Sequence, residues 1–224
     1  MRLLLIRHGQ TPSNVEGILD AAYPGPGLTP LGHTQAQAIP EALQHETLSG
    51  LHVSRLLRTH ETAAPLAAAL DISPRLTEGL EEIRAGDYQM RRDQAAVEAY
   101  QENHARWSAG EFAEGLPGGE NGTQFWQRWT GALKHIAGLY PEEATVAVVS
   151  HGAAIRVFAA VVGGLGAASL EERPLYNTGM VTLTGHPDQG WTIEDWVSTP
   201  IGGEHLLGAT AHDVTSDDTA DAAV

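Results

Sequence analysis

Cysteine is absent from this 224-residue chain, which excludes disulfides and thiolate metal ligands and fits a reducing compartment. Lysine is nearly absent: Lys134 stands alone, and Lys and Arg together number 13 against 28 Asp and Glu, a formal charge of −15. That balance argues against nucleic acid or an anionic membrane as partner, since both demand clustered cations. No apolar run reaches the length of a membrane span, and Leu3 to Ile6 is too short for a signal-peptide core, so a cytoplasmic location is expected. Internal repeats and a second domain are also missing. An acidic chain that handles an anionic ligand must focus its few arginines locally, and Arg7 and Arg58 are the first candidates.

Apolar residues are plentiful at 42%, enough for one sizeable globular core. Arg2 to Ile6 reads as a fully buried strand, and the Pro- and Gly-punctuated stretch Asn14 to Gly27 as a loop. A helix is expected from Thr29-Pro30, a cap followed by proline at the first helical position, with Pro40 expected to kink or divide it. Further strands are expected at Leu51 to Val53, Pro74 to Thr77, Thr145 to Val149, Met180 to Thr184 and Trp191 to Val197. Helices are expected at Thr59 to Leu70, Arg92 to Trp107, Glu120 to Leu139 and from Gly152 through Val162. Strands alternating with helices imply an α/β fold with a largely parallel central sheet. Residues 1–200 form the expected domain, and the acidic, lysine- and arginine-free stretch 201–224 the expected flexible tail.

Ligands of parallel sheets collect at the carboxyl ends of strands. Three strands end on polar or charged residues: Arg7-His8, Ser54-Arg55 and Ser150-His151. With Arg58 and Glu82 they supply what cleavage of a phosphate ester requires. Cations stabilise charge on the phosphoryl oxygens, a neutral imidazole attacks phosphorus, and a carboxylic acid protonates the departing oxygen. Each residue alone has an ordinary structural explanation, such as a solvated helix-face arginine, a loop carboxylate or a satisfied core histidine. The remaining histidines show no compact metal-ligand spacing, so no metal site is expected.

Seven short motifs, in order, resemble the histidine phosphatase superfamily, which includes phosphoglycerate mutases. They are Arg7-His8-Gly9-Gln10-Thr11 with Asn14; Leu28-Thr29-Pro30-Leu31-Gly32 with Gln35-Ala36; Ser54 to Thr59 with Thr62-Ala63; Leu80-Glu81-Glu82-Ile83 with Gly86; Pro117-Gly118-Gly119-Glu120; Ser150-His151-Gly152 with Ile155-Arg156; and Asn177-Thr178-Gly179. The resemblance implies a three-layer sandwich of the phosphoglycerate mutase type and a phosphohistidine at His8. Arg7, Arg58 and His151 would hold phosphoryl oxygens, with Asn14 and Gly152 completing the substrate contacts. It implies Glu82 as proton donor, with neighbouring Glu81 the alternative, and no metal or other cofactor. The expected partner is a small phosphate ester, and a homodimer is left open.

Two departures from the superfamily pattern stand out. Relatives often carry Gly-x-x-Gln-Gly where this chain reads Gly17-Ile18-Leu19-Asp20-Ala21, and many carry Trp-Glu-Gly where it reads Tyr88-Gln89-Met90. Residues 87–116 should cap the pocket. There Arg91 or Arg92 could add an anion contact, although a solvated helix face is the preferred reading. The segment between Glu82 and His151 is shorter than in mutases and lacks their basic contacts to a substrate carboxylate. Hydrolysis is therefore expected rather than mutase-type transfer or phospho-ligand binding without turnover.

Overall fold

The computed structural model describes residues 1–166 and 172–208. In chain order its elements are β1 (Arg2–Arg7), α1 (Pro12–Glu16), α2 (Pro30–Ala42), β2 (Leu48–Val53), α3 (Leu57–Leu70), β3 (Arg75–Leu76), α4 (Gln94–Ser108), α5 (Gly122–Ala137), β4 (Thr145–Ser150), α6 (Gly152–Gly163), β5 (Met180–His186) and β6 (Gly190–Val197). The strands make one sheet in the order β3-β2-β4-β1-β5-β6. β1 and β4 pair in parallel, as do β4 with β2 and β2 with β3, while β5 and β6 add antiparallel.

Strand periodicity builds the three layers. Leu3, Leu5, Val146, Val148, Val181 and Leu183 face one core with Trp107, Phe125, Trp129 and Phe158 of α4, α5 and α6. Leu4, Ile6, Leu51, Val53, Ala147 and Val149 face the other with Ile39 of α2, Leu43 just after it, and Ala63 and Leu66 of α3. Because successive residues alternate faces, strands buried on both sides must be apolar throughout, as β1 and β4 are from their second residue until each ends on Arg7 or Ser150.

Several local expectations change. The segment read as a loop from Asn14 begins inside α1, because Thr11 and Asn14 form a reciprocal capping box around Pro12 and the helix closes on Gly17 at φ 66°. Pro40 does not divide α2, which runs on to Ala42; the proline sits in the last turn. β2 begins three residues earlier than expected, across a register shift at Leu48 and Gly50. The segment assigned to the tail from residue 201 starts as packed chain: Ile201 N–H donates to the Thr178 carbonyl (3.1 Å), Gln35 Nε2 donates to the Leu206 carbonyl (3.0 Å), and Leu206 is buried. The remainder of that tail, 209–224, lies outside the described residues.

Candidate active site

The register of the sheet puts Arg7 opposite Ser150, so the two strand ends deliver His8 and His151 side by side. The His8 amide donates to the Ser150 carbonyl (2.9 Å), and the imidazole centroids are 5.3 Å apart. Arg7, His8, Arg58, Glu82 and His151, expected to meet from sequence, all lie within one buried cluster, none more than 8% exposed. Asn14 joins them at the mouth of the crevice, which Arg7, His8, Arg58 and Glu82 line.

Hydrogen bonding fixes both imidazole tautomers. His8 Nδ1 lies 2.7 Å from the Gly9 carbonyl, which only accepts, so Nδ1 carries the proton and Nε2 keeps its lone pair. Arg58 Nε donates to His151 Nδ1 (3.3 Å), so the proton of His151 sits on Nε2 and is donated to Ser54 Oγ (2.8 Å). Burial, then Arg58 and Arg7, hold His8 well below its ordinary pKa. His151 is held down by burial, Arg58 and His8. Both rings are therefore neutral near neutral pH.

Glu82 is poised the other way. Its carboxylate accepts from the Ile83 amide (2.9 Å) and from Ala154 (2.9 Å) and Ala153 (3.2 Å) in the first turn of α6. Burial nevertheless raises its pKa, the larger effect, against the pull of those amides and Arg58. Glu81 points elsewhere, accepting from the Gly79 amide (2.9 Å) and approaching Arg55 (3.6 Å). The geometry thus places Glu82 in the crevice and leaves Glu81 on another surface.

The cations are fixed by the backbone. Arg7 Nη1 donates to the Leu175 carbonyl (2.5 Å), and Arg58 Nη2 to the Asp20 carbonyl (3.1 Å). Burial lowers the Arg58 pKa, opposed by Glu82 and Asp20. The bare backbone of Gly152 makes room for the Arg7 guanidinium, since a Cβ there would stand 3.0 Å from Arg7 Nε. Asn14 Oδ1 accepts from the Thr11 amide (3.0 Å) and from Asn177 Nδ2 (3.2 Å), which turns the Asn14 side chain into the capping network of α1.

The superfamily pattern for histidine phosphatases (branch 1) matches residues 3–199. The chain belongs to the histidine phosphatase superfamily. Phosphatases recur among its relatives and structural neighbours, which makes it a phosphoric monoester hydrolase by class, and its α/β fold is that of those neighbours. One relative, a PE-PGRS family protein, PE_PGRS11, of Mycobacterium tuberculosis, is 35% identical over 93% of this chain, which spans only 38% of that protein's length. An adenosylcobalamin/alpha-ribazole phosphatase of Salmonella typhimurium is 28% identical, covering 76% of this chain and 83% of its own. Among solved structures, a mycobacterial glucosyl-3-phosphoglycerate phosphatase superposes with a TM-score of 0.73 at 25% identity, over 88% of this chain and 99% of its own.

Against the histidine phosphatase pattern, the two departures prove to be one contact. Gln89 Nε2 donates to Asp20 Oδ1 (3.0 Å), and Gln89 Oε1 accepts from the Ala21 amide (3.1 Å). Set against the superfamily pattern of a glutamine at the first position and a glutamate at the second, this chain exchanges amide and carboxylate. Ser13 Oγ donates to the other Asp20 oxygen (3.0 Å), and Asp20 lines the crevice. Met90 takes φ 64°, the left-handed backbone that the relatives' glycine suits.

Tyr100 belongs to the segment 87–116 expected to cap the pocket but was not among the expected site residues. Tyr100 lines the crevice, donates to the Ile83 carbonyl (3.0 Å), and is kept protonated by burial and by Glu82. Ser13 and Asp20 were likewise outside the predicted set; the loop's departure from the family pattern was the one available signal. Arg91 and Arg92 do not reach the crevice: Arg91 pairs with Asp93 (2.8 Å) and Arg92 approaches Glu16 (3.6 Å), the solvated face the sequence favoured. Among the described residues no group of three or more His, Cys, Asp or Glu is placed to hold a metal ion, and no helix is long and apolar enough to cross a membrane.

Proposed function

We propose that the chain hydrolyses a small phosphorylated metabolite in the cytoplasm through a phosphohistidine on His8, without a metal or other cofactor. The carrying observation is the tautomer of His8: with Nδ1–H held by the Gly9 carbonyl, Nε2 is a neutral nucleophile in the field of two buried guanidiniums, Arg58 and Arg7. The first step forms the Nε2–P bond and breaks the ester P–O bond, and Glu82 gives its proton to the departing oxygen. Water then attacks phosphorus and surrenders a proton to the Glu82 carboxylate, and the N–P electron pair returns to His8. Arg7, Arg58, His151, Asn14 and the Gly152 backbone would carry the charge on the equatorial oxygens, which is where phosphoryl-transfer catalysis chiefly lies.

Asp20 bears on the substrate. A carboxylate on the crevice wall disfavours a second anionic group near the phosphate and offers an acceptor to hydroxyl or ammonium donors. Phosphate release across a panel of hydroxylated, aminated and carboxylated phosphate esters tests the proposal. Turnover is expected in chelator, fastest on esters without a carboxylate close to phosphorus, and lower by at least about 10⁴-fold in His8→Ala. Loss of activity in chelator, undiminished turnover by His8→Ala, or bisphosphate-primed phosphate transfer in place of hydrolysis would overturn it.

A further inference from the structure

Glu82 is useful only if its carboxyl stays aimed at the crevice, yet it sits on the irregular stretch between β3 and a 3₁₀ turn at Gly86–Tyr88. Arg128, on α5, holds that stretch. Its five N–H donors meet five acceptors: Nη1 donates to the carbonyls of Gly79 (2.8 Å) and Glu81 (2.8 Å), Nη2 to the carbonyl of Glu82 (3.1 Å) and to Glu120 Oε1 (2.6 Å), and Nε to Glu120 Oε2 (2.7 Å). Glu120 is itself buried and accepts from the Arg84 amide (3.2 Å), so both flanks of Glu82 are tied to one ion pair. The loop lies so close to α5 that a Cβ at Gly79, which takes φ 96°, would stand 2.5 Å from the Arg128 carbonyl.

We propose that Arg128, oriented by Glu120, is a positioning residue for proton donation: it grips the Glu82 backbone and so sets where the Glu82 carboxyl points. The inference rests on the reading of Glu82 as the proton donor. A planar five-donor fork is needed for it. Lysine would retain the charge beside Glu120 but could not span a carboxylate and three carbonyls at once.

The distinguishing property is dependence on the leaving group. Glycerol 2-phosphate must receive a proton as its alkoxide departs, whereas p-nitrophenyl phosphate releases a stable anion and needs none. First-turnover rates of alcohol release should therefore fall about 10²-fold in Arg128→Lys with glycerol 2-phosphate, the scale of loss from a misplaced catalytic group, and stay near wild type with p-nitrophenyl phosphate. Glu82→Gln serves as the reference and should show the same split, larger. Absence of a split in Glu82→Gln would remove the proton-donor reading itself. A split in Glu82→Gln with equal rates, or equal losses, on both esters in Arg128→Lys overturns the positioning role. Should Arg128→Lys fail to fold, Glu120→Gln decides: a smaller split of the same sign supports the proposal, and none overturns it.

Discussion

In the proposed reaction His8 must be neutral to attack and yet lie among cations, and the two requirements are met by the same neighbours. Burial and the guanidiniums of Arg58 and Arg7 disfavour imidazolium, while the Gly9 carbonyl selects the tautomer with Nε2 free. The His8 Cε1–H resonance should accordingly keep its neutral position as pH falls through about 6.5, the usual midpoint of a histidine. A midpoint at or above that value would contradict this account of the nucleophile. At this scale the sequence was legible where a motif fixed a strand end, as for Arg7, His8 and His151. The resemblance favoured Glu82 over Glu81, and the backbone turns only Glu82 toward α6. Tyr100 and Asp20 were legible only as members of segments, the cap over residues 87–116 and the loop that departs from the family pattern; which side chains of those segments line the crevice depends on how the loops fold over the sheet.

Elements with a strong repeating pattern were readable to within a few residues. β1 and β4 are apolar where they cross between two cores, and α5 starts at an Asn121–Gln124 capping box, one residue after the expected helix start at Glu120. Short elements were not: α1 has five residues and exists because its cap network, shared with Asn177, holds it. The contact of Asp20 with Gln89 joins the loop after α1 to the turn before α4, so it tests how these elements close the crevice. Replacing Gln89 by Glu would set two carboxylates in the place of one hydrogen bond. Gln89→Glu is expected to lower stability by about 1 kcal/mol, and adding Asp20→Asn should recover most of that loss by returning the amide to the other side. Additive effects in thermal or urea unfolding would mean that the two side chains do not interact in solution.

Over the whole molecule, charge is sorted by depth. The chain carries −15 overall, and many of its arginines are spent on surface pairs such as Arg2 with Glu46 and Glu194, or Arg106 with Glu111 and Glu114. Arg7 and Arg58 are buried at the strand ends instead, with Arg58 beside the paired histidines. Sheet order supplies that focus: β4 between β2 and β1 brings Ser54, His151 and His8 to adjacent strand ends. The covalent phosphoryl transfer proposed for this arrangement has an intermediate that can be trapped. Quenching the enzyme milliseconds after mixing with ³²P-labelled phosphate ester should give label on His8 that is lost in acid and retained in base, and absent from His8→Ala. Label persisting in His8→Ala, or turnover by the wild-type enzyme with no protein-bound label at any quench time, would contradict the account.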